Sequence, residues 1–235
     1  MKENVKNTGV IIAAAGSGSR MGGVYKPLEK LCGREMLLYS LDTFMKCDEV
    51  AFVVISARSD KIKEIENLCE KNDYNKPLLV VEGGSDRQTS VENAFGVSLF
   101  DSENISYVAV HDAARPLFDV QMAKKALCMA KEKGSAVCAC RVRDTVKRTD
   151  ENCVVTEGVD RDGLWLVQTP QIFEKDTYKA ALYKAREDKI SVTDDSSLVA
   201  YFGKQVYLCD TPSYNIKITY PEDVFLAEAV LIKRG

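Results

Sequence analysis

Short β-branched runs alternate with amphipathic stretches along most of this chain, and that alternation limits its fold more than any other feature. Val10–Ala14 precedes a helical pattern near Glu35–Lys46, Val50–Ser56 precedes one at Lys61–Lys71, and Pro77–Val81 precedes one at Arg87–Leu99. The rhythm continues with Ile105–Val110, a helix near Val120–Lys133 and a strand at Ala136–Arg141. Strands separated by helices of this length imply parallel crossovers and an open α/β sheet. Beyond residue 163, the sequence predicts a helix near Lys175–Arg186, a polar loop at Thr193–Ser196, a strand at Gln205–Cys209 and a last helix over Pro221–Lys233. No internal repeat, low-complexity tract or linker interrupts the pattern, so the expected organisation is one domain over residues 1–235.

The rhythm breaks between Val142 and Gly163. There Val142–Arg148 and Cys153–Val159 read as two short strands around a turn, with no helix between them. A hairpin of this kind, at 142–163, is either a decorated loop or an arm that packs on a second subunit.

Composition narrows the function classes. Thirty-two Lys and Arg against 35 Asp and Glu give a net charge of −3 with no basic block, which argues against a general nucleic-acid binder. The longest apolar runs hold about six residues, against the roughly 20 that cross a bilayer, and the polar start from Met1 to Thr8 is no signal segment; a cytoplasmic protein is expected. The eight cysteines are scattered with no CxxC pair, and reduced, mostly buried thiols are the plain reading. A single histidine, His111, excludes His-rich zinc sites.

Candidate chemistry clusters at the predicted strand ends. The first strand runs into AAAGSGSRMG at 13–22, followed by Lys26. The dinucleotide fingerprint fails because Met21 stands at the third glycine position, and no Gly-Lys-Ser/Thr closes a P-loop. What remains is a glycine loop, with Gly16 and Gly18 able to bring backbone N–H groups to phosphate oxygens and Arg20 and Lys26 to neutralise them. Without other evidence it is equally a strand-to-helix turn with solvated cations. The string EGGSDRQTSVEN at 82–93 places Gly83, Gly84, Ser85 and Ser90 at the same rim, while Asp86 reads as an N-cap for the following helix. In VHDAARP at 110–116, Asp112 and Arg115 emerge together, either to hold sugar and phosphate or to pair with each other, and His111 reads as a packing residue. Lys217 alternates with Ile216 and Ile218 on a predicted strand, which turns it away from the core, and Thr219 to Glu222 fits a capping box. No GxSxG elbow occurs, and one histidine serves a distant Ser or Cys poorly.

Taken in order, AAAGSGSRMG with Lys26, GGSDRQTSV, VHDAARP, RDTVKR, DGLWLVQTPQIF, TDDSSL and NIKITYPEDVFLAEA closely resemble the 2-C-methyl-D-erythritol 4-phosphate cytidylyltransferase family, from about Val10 to Leu231. The resemblance implies a Rossmann-like, mostly parallel sheet flanked by helices, with a protruding β-hairpin dimerisation arm. It also implies a reaction of CTP with the polyol phosphate that releases pyrophosphate, in non-mevalonate isoprenoid synthesis. Carried over by motif, Arg20, Lys26, Arg161 and Lys217 would be catalytic cations. Ala14, Ala15, Gly84, Ser85 and Ser90 would surround the cytosine, and Asp112 would contact the sugars. Arg115, Thr145, Arg161, Thr169, Thr193, Lys217 and Thr219 would hold acceptor or triphosphate, with Thr145 and Arg161 lent by the partner of a homodimer. Magnesium would arrive mainly on the CTP phosphates. The chain departs from many relatives at Tyr25-Lys26-Pro27-Leu28, where they place Gln after the lysine, which leaves the register of Lys26 open. A ribitol 5-phosphate cytidylyltransferase is the nearest alternative; a nicotinamide oxidoreductase and a non-catalytic nucleotide-binding module are the others.

Overall fold

The computed structural model describes residues 6–16 and 23–234, and Gly18 and Arg20 lie outside the described residues. In chain order the elements are β1 (Thr8–Ala13), β2 (Lys30–Leu31), β3 (Arg34–Glu35), α1 (Met36–Met45), β4 (Val50–Ala57), α2 (Ile62–Glu70), β5 (Leu78–Glu82), α3 (Arg87–Phe95) and β6 (Tyr107–Asp112). They continue with α4 (Val120–Lys133), β7 (Ser135–Arg141), β8 (Val146–Thr149), β9 (Val155–Val159), β10 (Trp165–Glu174), α5 (Lys175–Glu187), α6 (Asp195–Tyr201), β11 (Leu208–Asp210) and α7 (Pro221–Arg234).

Along β1 every side chain from Val10 to Ile12 is buried, and neighbours face opposite ways. Val10 and Ile12 pack with Leu37, Leu41 and Phe44 of α1 and with Ala126 and Leu127 of α4, whereas Ile11 packs with Val91 of α3 and Tyr178 and Ala181 of α5. A strand apolar on both faces needs helices on both sides, which parallel crossovers supply. The result is a seven-stranded sheet in the order β11-β7-β10-β6-β1-β4-β5. The chain leaves β1 for β4 and β5 on one side and then starts β6 on the other, so strand order reverses at β1. In open α/β sheets a ligand crevice forms at such a reversal, beyond the carboxyl ends of the strands.

The expected open α/β sheet is therefore present, mostly parallel, but one strand has no counterpart in the alternating pattern. β10 lies between β6 and β7 and runs antiparallel to both. Its ladder with β7 breaks between Val167 and Gln171, because those partners, Ala139 and Val137, stand only two residues apart on β7. Such bulges re-aim side chains, and this one contains Gln168 and Thr169.

Other expectations shift for local reasons. The helix expected to reach Leu99 stops at Phe95, where Gly96 follows. Asp86 accepts the Thr89 amide and caps α3 as expected. The polar loop at Thr193–Ser196 is instead the start of α6, capped by Asp194, which accepts the Ser197 amide. Residues 215–219, expected as a strand carrying Lys217, are irregular. They are pinned by the Ile218 amide, which donates to the Ala114 carbonyl, and by the buried Asn215, whose side chain donates to Gln168 Oε1 and the Thr169 carbonyl. The acid that closes the start of α7 is Asp223, in its first turn, not Glu222: its Oδ2 accepts from the amides of Thr219 and Tyr220, and the Thr219 hydroxyl donates to the Lys217 carbonyl. The hairpin between Val142 and Gly163 is present as β8 paired with β9, and nearly all of it is exposed. All eight cysteines are free thiols, five of them buried, in line with the reduced reading.

Gly9 sits in β1 under the edge-to-face pair Phe52 and Phe100, and a methyl group there would lie 2.5 Å from a Phe100 ring carbon and 2.6 Å from one of Phe52. Overpacking a sealed core costs about 1–3 kcal/mol, so Gly9→Ala is expected to lower Tm by roughly 3–10 °C in a thermal melt. An unchanged Tm would show that the two rings yield freely.

Candidate active site

The crevice at the β1 reversal is a cavity of about 360 Å³ lined by Ala13 to Gly16 from the end of β1, Lys26 and Pro27, Gly84 to Arg87 and Ser90, Asp112 to Ala114 from the end of β6, and Lys217. Its floor is built from strand extensions: the Ala14 amide donates to the Ser56 carbonyl, Gly83 to Ala57 and Ala113 to Ala13. Gly83 is required by closeness, since a Cβ there would come within 2.4 Å of the Ala15 Cβ. Ser90 lines the cavity, but its hydroxyl accepts from the Gly84 amide at 2.9 Å and donates to the Asp86 carbonyl at 2.6 Å, so it shapes the loop.

A second cavity of about 400 Å³ adjoins the first. It is lined by Arg115, Val167 to Thr169, Gln171, Thr193, Asp194, Ser196 and Ser197, and it shares Arg87, Asp112 and Lys217 with the first. At that shared boundary Asp112 stands among three cations. Its Oδ1 is 3.3 Å from Arg87 Nε, and its Oδ2 is 2.9 Å from Lys217 Nζ and 3.7 Å from Arg115 Nε. Burial alone would raise the Asp112 carboxyl, but Lys217, Arg87 and Arg115 outweigh it and hold the group well below the usual carboxylate range. Asp112 therefore stays charged, and the boundary keeps a surplus of positive charge facing both cavities.

Each of these groups is held by the fold. Arg115 donates to the Asn215 carbonyl, and Lys26 to the Ile218 carbonyl, so both cations grip the segment that carries Lys217. Thr169 Oγ1, brought inward by the β10 bulge, accepts from the Asp112 amide at 3.0 Å and meets His111 Nδ1 at 3.1 Å, while His111 Nε2 meets Ser40 Oγ at 3.2 Å. Thr169 thus fixes the backbone of Asp112 rather than presenting a free hydroxyl. His111 is sealed in the core beside Phe44 and Phe118. Burial pushes its pKa down to about 3 in spite of nearby Asp112, so it is neutral and structural, as the sequence reading expects.

Most candidates from the sequence meet here. Ala14, Ala15, Gly16, Lys26, Gly84, Ser85, Ser90, Asp112 and Lys217 border the first cavity, and Arg115, Thr169 and Thr193 the second. Thr219 borders neither and acts through the Lys217 carbonyl. Thr145 and Arg161 lie in the hairpin region; Arg161 borders a separate cavity at its root with Lys125, Arg141 and Arg143. Sequence reasoning passed over Arg87. Its signal was position: a cation in the first turn of a helix opposes the helix dipole, which calls for a local acid to hold it there.

A glycine-lined cleft at a strand-order reversal, opening onto fixed cations, with the single histidine neutral and sealed from solvent, defines an α/β enzyme of the nucleotidyl-transfer class. Within that class the chain belongs to the 2-C-methyl-D-erythritol 4-phosphate cytidylyltransferase family, whose sequence profile matches residues 8–233. Relatives of that name from Caldanaerobacter subterraneus subsp. tengcongensis and Bacillus cereus are 37% identical over 97% of this chain and 36% identical over 94%, covering 100% and 96% of those proteins. The crystal structure of 4-diphosphocytidyl-2C-methyl-D-erythritol synthase from Anaerococcus prevotii superposes with a TM-score of 0.83 at 29% identity, covering 97% of this chain and 99% of that one. The cytidylyltransferase from Thermus thermophilus gives 0.75 at 29%, over 95% and 98%.

His111 also fixes a pH dependence. Its folded pKa lies near 3, below the roughly 6.5 of an unfolded histidine, so between those values only the unfolded chain binds the proton. The stabilisation is complete above pH 6.5 and fades as pH falls toward 3. Because the chain has one histidine, urea unfolding should show a loss of about 2 kcal/mol between pH 6.5 and 5 that is absent in His111→Asn. Equal slopes in both proteins would contradict the assignment.

Proposed function

We propose that this chain transfers the cytidylyl group of CTP to 2-C-methyl-D-erythritol 4-phosphate and releases pyrophosphate, a step of non-mevalonate isoprenoid precursor synthesis. The observation that carries the reading is the sharing of Arg87, Asp112 and Lys217 by two adjoining cavities. CTP takes the glycine-lined cavity, with its base against Ala14, Ala15 and the Gly84–Ser90 loop, and the acceptor takes the cavity bordered by Thr193 and Arg115. Their phosphates then meet at the shared boundary.

The chemistry there needs no general base. An acceptor phosphate oxygen, already anionic, forms a bond to the α-phosphorus, and the bond from that phosphorus to the pyrophosphate oxygen breaks. Alignment and offset of growing charge supply the catalysis. Lys26 and Lys217 border the reacting phosphates, and the family resemblance adds Arg20 as a further cation, with Gly18 of the glycine loop as a phosphate contact. When Lys217 turns to a phosphate, Arg87 and Arg115 remain on Asp112, so the buried carboxylate is never left without a counter-charge. Among the described residues no group of three or more acidic, His or Cys side chains could hold a metal ion. The carboxylates bordering the nucleotide cavity, Asp86 and Asp112, are already engaged. Magnesium would be carried by the triphosphate, where it would neutralise phosphate charge. No described helix is long and apolar enough to cross a membrane, and use of CTP supports the cytoplasmic placement. Ribitol 5-phosphate is not favoured as acceptor, since the relatives from Caldanaerobacter and Bacillus are named for the methylerythritol substrate.

A pyrophosphate-release assay crossing four nucleotides with the two acceptors is expected to give turnover only with CTP and methylerythritol phosphate. Lys217→Ala should lower kcat by about 10²–10³, the usual loss for a preorganised charge contact. Turnover with ribitol phosphate or UTP at a matching rate would redirect the reading.

A homodimer belongs to the same proposal. The β8–β9 hairpin exposes Val154 and Val155, and beside its root Leu166 and Val167 are also exposed. A two-stranded hairpin with no packed face is marginal alone, so a second copy is the natural cover, and Arg161 would then reach the partner's acceptor cavity with Thr145. Mixing inactive Arg161→Ala with inactive Lys217→Ala, after subunit exchange, should restore about a quarter of wild-type activity, because half the dimers then carry one intact site of two. A mixture that stays inactive, or an active monomer by light scattering, would remove the shared site.

A further inference from the structure

Behind the cations that border both cavities lies a chain of buried polar contacts that the proposed reaction does not use. Arg87, the first residue of α3, donates from Nε to Asp112 at 3.3 Å, while its Nη2 lies 2.7 Å from Asp195 Oδ2. Asp195, the first residue of α6, is 4% exposed, and its Oδ1 accepts from the Tyr178 hydroxyl at 2.6 Å. Tyr178 is fully buried, stacked on Phe173 at 5.6 Å and edge-on to Phe95 at 5.4 Å. Neither Asp195 nor Tyr178 borders either cavity. The line of contacts therefore runs from the hydrophobic core out to the boundary.

We propose that Asp195, held by Tyr178, is a positioning residue for the transfer: it fixes Arg87 on Asp112 Oδ1, so that Oδ2 faces Lys217. This rests on the functional reading above. A guanidinium is a rigid planar fork, so fixing Nη2 on Asp195 decides where Nε points. A carboxylate rotates about its last bond unless both oxygens are engaged, and Arg87 engages the oxygen that Lys217 does not. Asp195 also gives Arg87 a second negative partner, which keeps this cation from swinging onto substrate phosphates, where a ground-state contact would tighten binding without speeding the reaction. Burial disfavours the charge on Arg87, but Asp195 and Asp112 outweigh it and keep the guanidinium protonated.

The test is a double-mutant cycle in kcat, measured per active site in steady-state pyrophosphate release from CTP with methylerythritol phosphate. Asp195→Asn keeps the shape and removes the charge. It is expected to lower kcat about ten-fold while changing either KM less than about three-fold. In an Arg87→Ala background the same substitution should change kcat less than about two-fold, because a residue that acts through Arg87 has nothing left to act on. Tyr178→Phe keeps the ring packing and should give a smaller loss, about three-fold, that also vanishes with Arg87→Ala; it decides the matter if Asp195→Asn fails to fold. Losses that add in the Arg87→Ala background, or an unchanged kcat in a folded Asp195→Asn protein, overturn the brace and leave the functional reading intact. A wild-type protein that releases no pyrophosphate overturns the functional reading, and the brace with it.

Discussion

The site depends on one buried carboxylate. Asp112 is 7% exposed, yet its charge is kept because Lys217, Arg87 and Arg115 surround it. A buried charge without partners is prohibitively costly, so the three cations together serve the fold as well as any ligand. The four residues come from separate places in the chain: the end of β6, the turn after it, the start of α3 and the irregular segment before α7. The electrostatic requirement of one side chain thereby draws together elements far apart in sequence. It also leaves the boundary with more positive than negative charge, the condition for receiving two phosphate-bearing substrates side by side.

Much of this could be read from residues alone, because the informative patterns are local. Alternating apolar runs announce strands with both faces covered, and the glycine, Gly-Ser-Asp and Asp-Arg clusters stand at strand ends, where parallel sheets put ligands. Asp86 as a cap and His111 as a packing residue follow from immediate neighbours. What sequence reasoning lost is non-local. β10 reads as a mixed polar and apolar string, WLVQTPQIFE, and only pairing with β6 and β7 makes it a strand. Residues 215–219 alternate like a strand, but the Asn215 side chain spends its donors on Gln168 and Thr169, so the segment is pinned without a ladder.

The hydroxyls of the site show a related limit. Ser90 was expected to touch substrate because short polar residues beside glycines suit that role, and Thr169 because the family resemblance implied it. Both border a cavity, but each uses its oxygen on a backbone amide, Gly84 in one case and Asp112 in the other. A hydroxyl cannot be assigned to ligand or loop from residue type, because the deciding quantity is whether a buried amide nearby lacks another acceptor. Arg87 and Asp195 show the converse: one read as an ordinary helix start and the other as part of a polar loop, yet they meet across the interior at 2.7 Å.

β10 ties two regions that would otherwise be independent. Its first residues, Trp165 to Val167, pair with the outer end of β7 beside the hairpin; after the bulge, Gln171 to Phe173 pair with the inner end of β7 and with β6. Trp165 is also stacked under Arg141, with the guanidinium 4.5 Å from the ring centre. The strand is thus a stiff rod with the hairpin at one end and the Thr169 wall at the other. A change of loop length at the hairpin tip would leave the register of β10 untouched. The spacing from Trp165 to Gln171 is not free: gaining or losing one residue there would turn every later side chain of the strand to the opposite face. Variation in this family should accordingly collect at the tip and stop at the tryptophan.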